Sequence, residues 1–300
     1  MNDFIESTEE GVGNEKNESE RYFFTYEETE EGSGAETMAD KILNDKRLPE
    51  IKYITIGYWG ECYEDGPDPI LKMFAENKEK FQHLVSLFVG DMDYEECEIS
   101  WIQQGGYEAL LKGLPNLKIL KIKGSEGLTL GEIDHANLEE LHIICGGLPV
   151  DVVNSLKTAR LPALKKLVLY VGVDGYGRTC TLNDLAGLAK KDLFPNLKYL
   201  GFLDSEDQDE LVEVILNSDI LPQLDTVDIS CGCLTDKGGR MIMDAQDKLT
   251  GLKTLNANYH FMSKGMMEEL KTLPFEVNAG DAQVLEPSYS PEYISPMITE

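Results

Sequence analysis

A short apolar phrase, with leucine or an equivalent at its first, fourth and sixth positions, recurs eight times along this chain. It reads Ile51, Ile54, Ile56; then Leu84, Leu87, Val89; then Leu117, Leu120, Ile122; then Leu138, Leu141, Ile143. It continues as Leu164, Leu167, Leu169; Leu197, Leu200, Phe202; Leu224, Val227, Ile229; and Leu252, Leu255, Ala257. Apolar residues two apart, with polar ones between, mark a strand that buries one face. Successive first anchors lie 33, 33, 21, 26, 33, 27 and 28 residues apart, the period of a repeat built from one strand and one return connection. Such a return brings the next strand back parallel to the last, and a helix is its usual form.

Helix-like apolar spacing fills the intervals at 69–80, 106–111, 150–158, 182–190, 207–217, 236–247 and 263–271. The pairs Leu48-Pro49, Leu114-Pro115, Leu161-Pro162, Phe194-Pro195 and Leu221-Pro222 precede strands, where proline stops a helix and favours extended chain before it. The units of 21 and 26 residues leave room only for extended or single-turn returns. The expected organisation is a disordered acidic segment over 1–20, a cap over 21–47 with a strand at 21–27, an acidic turn and a helix at 37–44, a repeat domain over 48–280, and a tail over 281–300. A last strand at 275–277 opens the end of the chain, and the Pro, Ser and Tyr content beyond it reads as mobile.

If the anchors face the core, the third, fifth and seventh positions form columns on the opposite face, about 4.8 Å apart between strands. The fifth-position column is Thr55, Phe88, Lys121, His142, Val168, Gly201, Asp228, Asn256. With neighbouring Lys123, Lys166 and Tyr170 it predicts a basic and aromatic centre suited to an acidic or phosphorylated partner, against the plainer reading that Glu140 and Lys166 pair across strands. The second positions alternate in sign, Lys118, Glu139, Lys165, Lys198, Asp225, Lys253, a ladder that sets register and solubility. The 33-residue units carry extra residues after their strands. These loops hold Tyr58, Trp59, Asp91, Trp101, Gln103 and Tyr176, and predict an aromatic rim. The plainer alternative is that both tryptophans plug gaps between irregular repeats.

Charge narrows the partners. The formal net charge of −28 and pI near 4.4 disfavour nucleic acid and anionic membrane surfaces. No apolar run approaches the roughly 20 residues that span a bilayer, and the N-terminus lacks the order of a secretion signal, so the expected compartment is the cytoplasm. Six cysteines without C-x-x-C spacing read as reduced packing thiols. The four histidines fall in separate units without metal-ligand spacing, and there is no phosphate-binding glycine loop or nucleophile elbow. Alternating acids over 204–210 faintly resemble a calcium loop but lack its glycine and frame, and read better as a helix start. No cofactor and no metal are expected.

The run Cys233-Leu234-Thr235-Asp236-Lys237-Gly238 after Val227-Asp228-Ile229 resembles the ribonuclease-inhibitor type of leucine-rich repeat, although Gly232 and Gly146 stand where that type has Asn or Cys. The segments 57–61, 98–105, 146–149 and the closing 293–300 are similar to an uncharacterised family of bacterial cytoplasmic leucine-rich-repeat proteins, from about Arg21 to the end of the chain. The resemblance implies an α/β solenoid, a right-handed βα horseshoe of about eight repeats with parallel strands on its concave face. It also implies a docked C-terminal segment, and it supplies no catalytic residue. The expected function is a monomeric, non-enzymatic protein-binding scaffold using Trp59, Asp91, Trp101, Gln103, Lys121, His142, Lys166, Tyr170 and Tyr176. The alternatives are a hydrolase-like enzyme with a loop-built site around Asp91, Gln103, His142 and Asp228, or an accessory subunit of a neighbouring enzyme.

Overall fold

The structure, a computed structural model, describes residues 18–283 and 294–298. Ten strands form one sheet in which every pairing is parallel and spatial order follows chain order. They are β1 Ser19–Tyr22, β2 Tyr53–Ile56, β3 Ser86–Val89, β4 Ile119–Lys123 and β5 Glu140–Ile144, then β6 Lys166–Gly172, β7 Tyr199–Ser205, β8 Thr226–Asp228, β9 Thr254–Asn256 and β10 Glu276–Asn278. Nine helices are present among the described residues: α1 Tyr26–Glu30, α2 Ala35–Leu43, α3 Asp68–Glu76, α4 Glu108–Gly113, α5 Val150–Lys157, α6 Leu182–Leu188, α7 Gln208–Leu216, α8 Asp236–Asp244 and α9 Lys264–Leu270.

Register is set by the repeated phrase. The third positions Tyr53, Ser86, Ile119, Glu140, Lys166, Tyr199, Thr226 and Thr254 are direct partners from strand to strand. A slip of one residue would turn every anchor to the wrong face, so burial of one face enforces the alignment. The anchors lie in one continuous core with the inner faces of the helices, for example Leu117, Leu120 and Ile122 with Leu110 and Leu111 of α4. Each such leucine or isoleucine contributes about 1.5–3 kcal/mol of burial. Successive helices pack side by side, α2 on α3 on α4 and α5 through α9. The second-position ladder forms at the edge where strands begin: Glu139 takes Lys118 at 3.1 Å and Lys165 at 2.5 Å, and Asp225 takes Lys253 at 2.8 Å.

Three expectations are corrected. The 26-residue unit carries an eight-residue helix, α5, as the spacing over 150–158 predicts and against the expectation from its length, because the chain turns at once through 145–149 after β5 and leaves enough length to bury Val152, Val153 and Leu156. The 21-residue unit does return in extended form, burying Leu128, Leu130 and Ile133 and bridging to Gln103, Gly106 and Arg160 on its neighbours. At the N-terminus, β1 begins at Ser19, ahead of the expected cap, since an edge strand needs only backbone pairing to β2. The acidic stretch after it is helix α1, nucleated by a capping box in which the Thr25 hydroxyl accepts from the Glu28 N–H (3.3 Å) and the Glu28 carboxylate from the Thr25 N–H (2.8 Å). The remainder of the expected disordered segment, 1–17, lies outside the described residues, as do 284–293 and 299–300 of the tail.

Candidate partner-binding surfaces

The face of the sheet opposite the helices is half closed. Along β3 to β9 the third, fifth and seventh positions satisfy one another. The Lys166 ammonium lies 4.5 Å from the Tyr199 ring centroid, and that of Lys121 lies 5.9 Å from Phe88. The Tyr199 hydroxyl donates to the Asp228 carboxylate and accepts from Asn256 Nδ2 at 3.4 Å. Asp228 also accepts the Ser230 N–H at 3.0 Å. His142 is buried, with Nε2 3.3 Å from Glu140 Oε2. Burial brings its pKa down to about 4, a stronger effect than the Glu140 contact that favours the charged form. Lys121, His142, Tyr170, Tyr199 and Asp228 share the wall of one small pocket. Lys123 does not join them: it is buried, donates to the Met92 carbonyl, and has its pKa lowered by desolvation.

A second apolar cluster, separate from the core under the helices, explains the closure. Ile144, Val168, Tyr170 and Leu203 on the sheet are joined by Ile99 from the loop after β3 and by Ile298 from the C-terminal segment. That segment is fastened at several points. The Ile298 N–H donates to Asp204 Oδ1 at 2.7 Å and the Met297 N–H to the Cys231 carbonyl at 2.8 Å. The Tyr259 hydroxyl donates to the Ser295 carbonyl at 3.1 Å. Asp204 is fully buried, in a left-handed backbone conformation (φ 58°), and burial pushes its carboxyl well above the usual range. Tyr170 and His142 are therefore walls of a filled face, and the mobile reading of the tail does not hold for 294–298.

The loops that follow the first strands are more open. Trp59 is 1% exposed and donates Nε1–H to the Asp65 carbonyl at 2.9 Å, so it plugs its loop and presents nothing outward. Trp101 is 58% exposed at the end of a 3-10 turn over Ile99–Trp101. Asp91 is held by Arg21 at 2.7 Å, with Glu96 at 3.6 Å from the same guanidinium. The Gln103 N–H donates to the Cys62 carbonyl at 2.8 Å and its Nε2 to the Tyr63 carbonyl at 3.4 Å, lacing two loops together. Tyr176 is half-buried in the turn Asp174–Tyr176, a loop closed by Arg178, which reaches Asp174 at 3.1 Å and Asp207 at 2.7 Å.

Five large apolar side chains are exposed among the described residues: Phe23, Tyr26, Tyr63, Tyr94 and Trp101. All five lie in the segments after β1, β2 and β3. Sequence reasoning found only Trp101. Tyr26, Tyr63 and Tyr94 sit among acidic residues with no apolar period, and that absence of a buried partner was the available signal.

No protein-family model and no curated protein matches the chain. Among solved structures it resembles the crystal structure of a Bacteroides fragilis protein, 44% identical, with a TM-score of 0.86 over 95% of this chain and 82% of that one. The chain belongs to the same family as that protein. The likeness extends over 95% of this chain, so the scaffold is shared with that protein.

Among the described residues, no group of three His, Cys, Asp or Glu is placed to hold a metal ion, and no helix is long and apolar enough to cross a membrane. All six cysteines are free and buried. The acids over 204–210 serve packing: Asp209 accepts from the Thr235 N–H (2.9 Å), the Thr235 hydroxyl (2.6 Å) and the Gly238 N–H (3.0 Å), capping the start of α8 from the preceding unit.

Proposed function

We propose that this protein is a non-enzymatic binding scaffold of the leucine-rich-repeat type, acting in the cytoplasm as a monomer and holding a protein partner on the loops at the strand ends of its first three units. The observation that carries the reading is that the five exposed large apolar side chains among the described residues all lie in the segments that follow β1, β2 and β3. Tyr and Trp anchor protein interfaces because they bury large area at little entropic cost. Their support is rigid: the Phe24 N–H donates to the Tyr58 carbonyl at 2.8 Å, and Gln103 ties the next two loops together.

Binding is favoured over catalysis by what the polar candidates already do. Asp91 serves Arg21, Gln103 serves Tyr63, His142 lies against Glu140, and Asp228 serves Tyr199. On this reading Lys121, Lys166 and Tyr170 belong to the scaffold. The test compares proteins captured by the intact chain and by a folded Tyr94→Ala, Trp101→Ala variant. A partner retained equally by both would remove the rim from consideration.

A further inference from the structure

Resting on that reading, the charge around the aromatic rim indicates what kind of partner it takes. Segment 23–34 carries four exposed carboxylates, 57–68 another four and 90–106 three, eleven in all. None of the three segments contains a lysine or arginine. Three cations reach these segments from outside: Arg21 pairs with Asp91 and Glu96, Lys41 donates to the Phe23 carbonyl at 3.0 Å and the buried Lys123 donates to the Met92 carbonyl, while none of the eleven takes part in an ion pair among the described residues. The opposite edge differs, for there lysines alternate with acids and pair across strands. The later loop over 172–178 differs too, because Arg178 neutralises it. Exposed carboxylates without an ion pair occur elsewhere too, Glu213, Asp244, Asp247 and Glu276 among them, but at the rim eleven of them, with no lysine or arginine in their segments, coincide with the exposed aromatic side chains.

We infer that the rim formed by Tyr26, Tyr63, Tyr94 and Trp101, beside Phe23 whose ring already carries the Arg21 guanidinium at 4.7 Å, docks a cationic polypeptide segment, one whose Lys or Arg side chains lie over the rings while their charges face the surrounding carboxylates. Exposed rings attract cations through their faces, and nearby acids raise the local cation concentration. Three adjacent strand ends span roughly 10 Å, so the occupant crosses several rings at once, which an extended peptide does. A free metal ion does not fit the site, since no three carboxylates converge there. Nucleic acid and anionic lipid would meet repulsion.

The test is a fluorescence-anisotropy titration of the intact protein with a fluorescein-labelled deca-arginine peptide at about 0.05 M salt, where electrostatic attraction is little screened. Three variants decide it. Tyr63→Ala, Tyr94→Ala, Trp101→Ala combined removes rings and keeps charge. Glu61→Gln, Glu64→Gln, Glu95→Gln, Glu98→Gln combined removes rim charge and keeps rings. Glu213→Gln, Asp244→Asn, Asp247→Asn, Glu276→Gln combined removes the same charge from elsewhere. Each of the first two should weaken binding by about tenfold or more, and the third by no more than about twofold. Equal weakening by the two charge variants would show attraction to the whole protein's field and overturn the inference, as would an unchanged affinity in the aromatic variant. An intact protein that ignores the peptide while rim residues still cross-link to a cellular protein would refute the cationic occupant and leave the binding scaffold standing. Displacement by spermine at the peptide's own concentration would assign the site to small polycations instead.

Discussion

Replacing each of the two tryptophans by alanine separates scaffold from surface. Trp59 is 1% exposed. Its removal withdraws roughly 200–250 Å² of buried side chain, about 5 kcal/mol at 25 cal/mol/Å² before relaxation. The Asp65 carbonyl also loses its indole donor, but it belongs to an exposed residue and can turn to water. Core truncations of this size settle at about 3–5 kcal/mol, so Trp59→Ala should cost about 4 kcal/mol. Trp101, 58% exposed, has roughly 100 Å² covered, which bounds its loss at about 2 kcal/mol. Urea unfolding followed by circular dichroism, with linear extrapolation to water, measures both. Fluorescence gives a second reading: the protein retaining only Trp59 should emit at shorter wavelength than the protein retaining only Trp101. Equal losses, or a Trp59→Ala cost below about 2 kcal/mol, would refute the placement of these side chains and with it the argument that the rim is free to bind.

Three further outcomes follow from the structure. His142 has its pKa lowered from 6.5 to about 4 in the folded protein, so the unfolded chain takes up the proton first as pH falls. The associated stability is present above about pH 6.5 and lost toward pH 4, about 3 kcal/mol in all; His142→Gln should flatten that part of the stability curve, and an unchanged curve would contradict the buried neutral imidazole. Gly172 has φ 69°, and a Cβ there would run into the Gly146 carbonyl, so Gly172→Ala should destabilise by several kcal/mol, whereas Gly175→Ala, which meets nothing, should change urea stability by less than about 0.5 kcal/mol. Ile298→Ala should cost about 2 kcal/mol, at the low end for a buried isoleucine because the end of a chain can relax. It should also speed hydrogen exchange at the Met297 and Ile298 amides, and unchanged exchange would argue against the docked segment.

Strand positions and register were readable from the chain because the phrase repeats with a two-residue period and burial of one face allows a single alignment. The Lys118, Glu139, Lys165 ladder was legible for the same reason. Helix α5 was legible in the apolar spacing over 150–158, and only the unit's length spoke against it, because the Gly146-Gly147-Leu148-Pro149 turn that shortens the loop before it was not weighed. The filled sheet face was not legible: Ile99 and Ile298 reach it from a loop and from the far end of the chain, contacts that leave no local period. Trp59 and Trp101 looked alike in sequence, both in glycine-bearing loops after strands. Only the three-dimensional course of the 57–68 loop, which brings Asp65 to the indole, tells the plug from the exposed ring. The rim tyrosines were hidden by their acidic surroundings, the same surroundings from which the proposed partner's chemistry is inferred.

The most direct test of the binding scaffold is site-specific photocross-linking in cells, with benzoyl-phenylalanine placed at Tyr63, Tyr94 and Trp101 in separate proteins and at Lys72 on the exposed side of α3 as the comparison. A discrete adduct to another protein from the rim positions, absent from Lys72, is the result the account predicts. Adducts from Lys72 and none from the rim would contradict it.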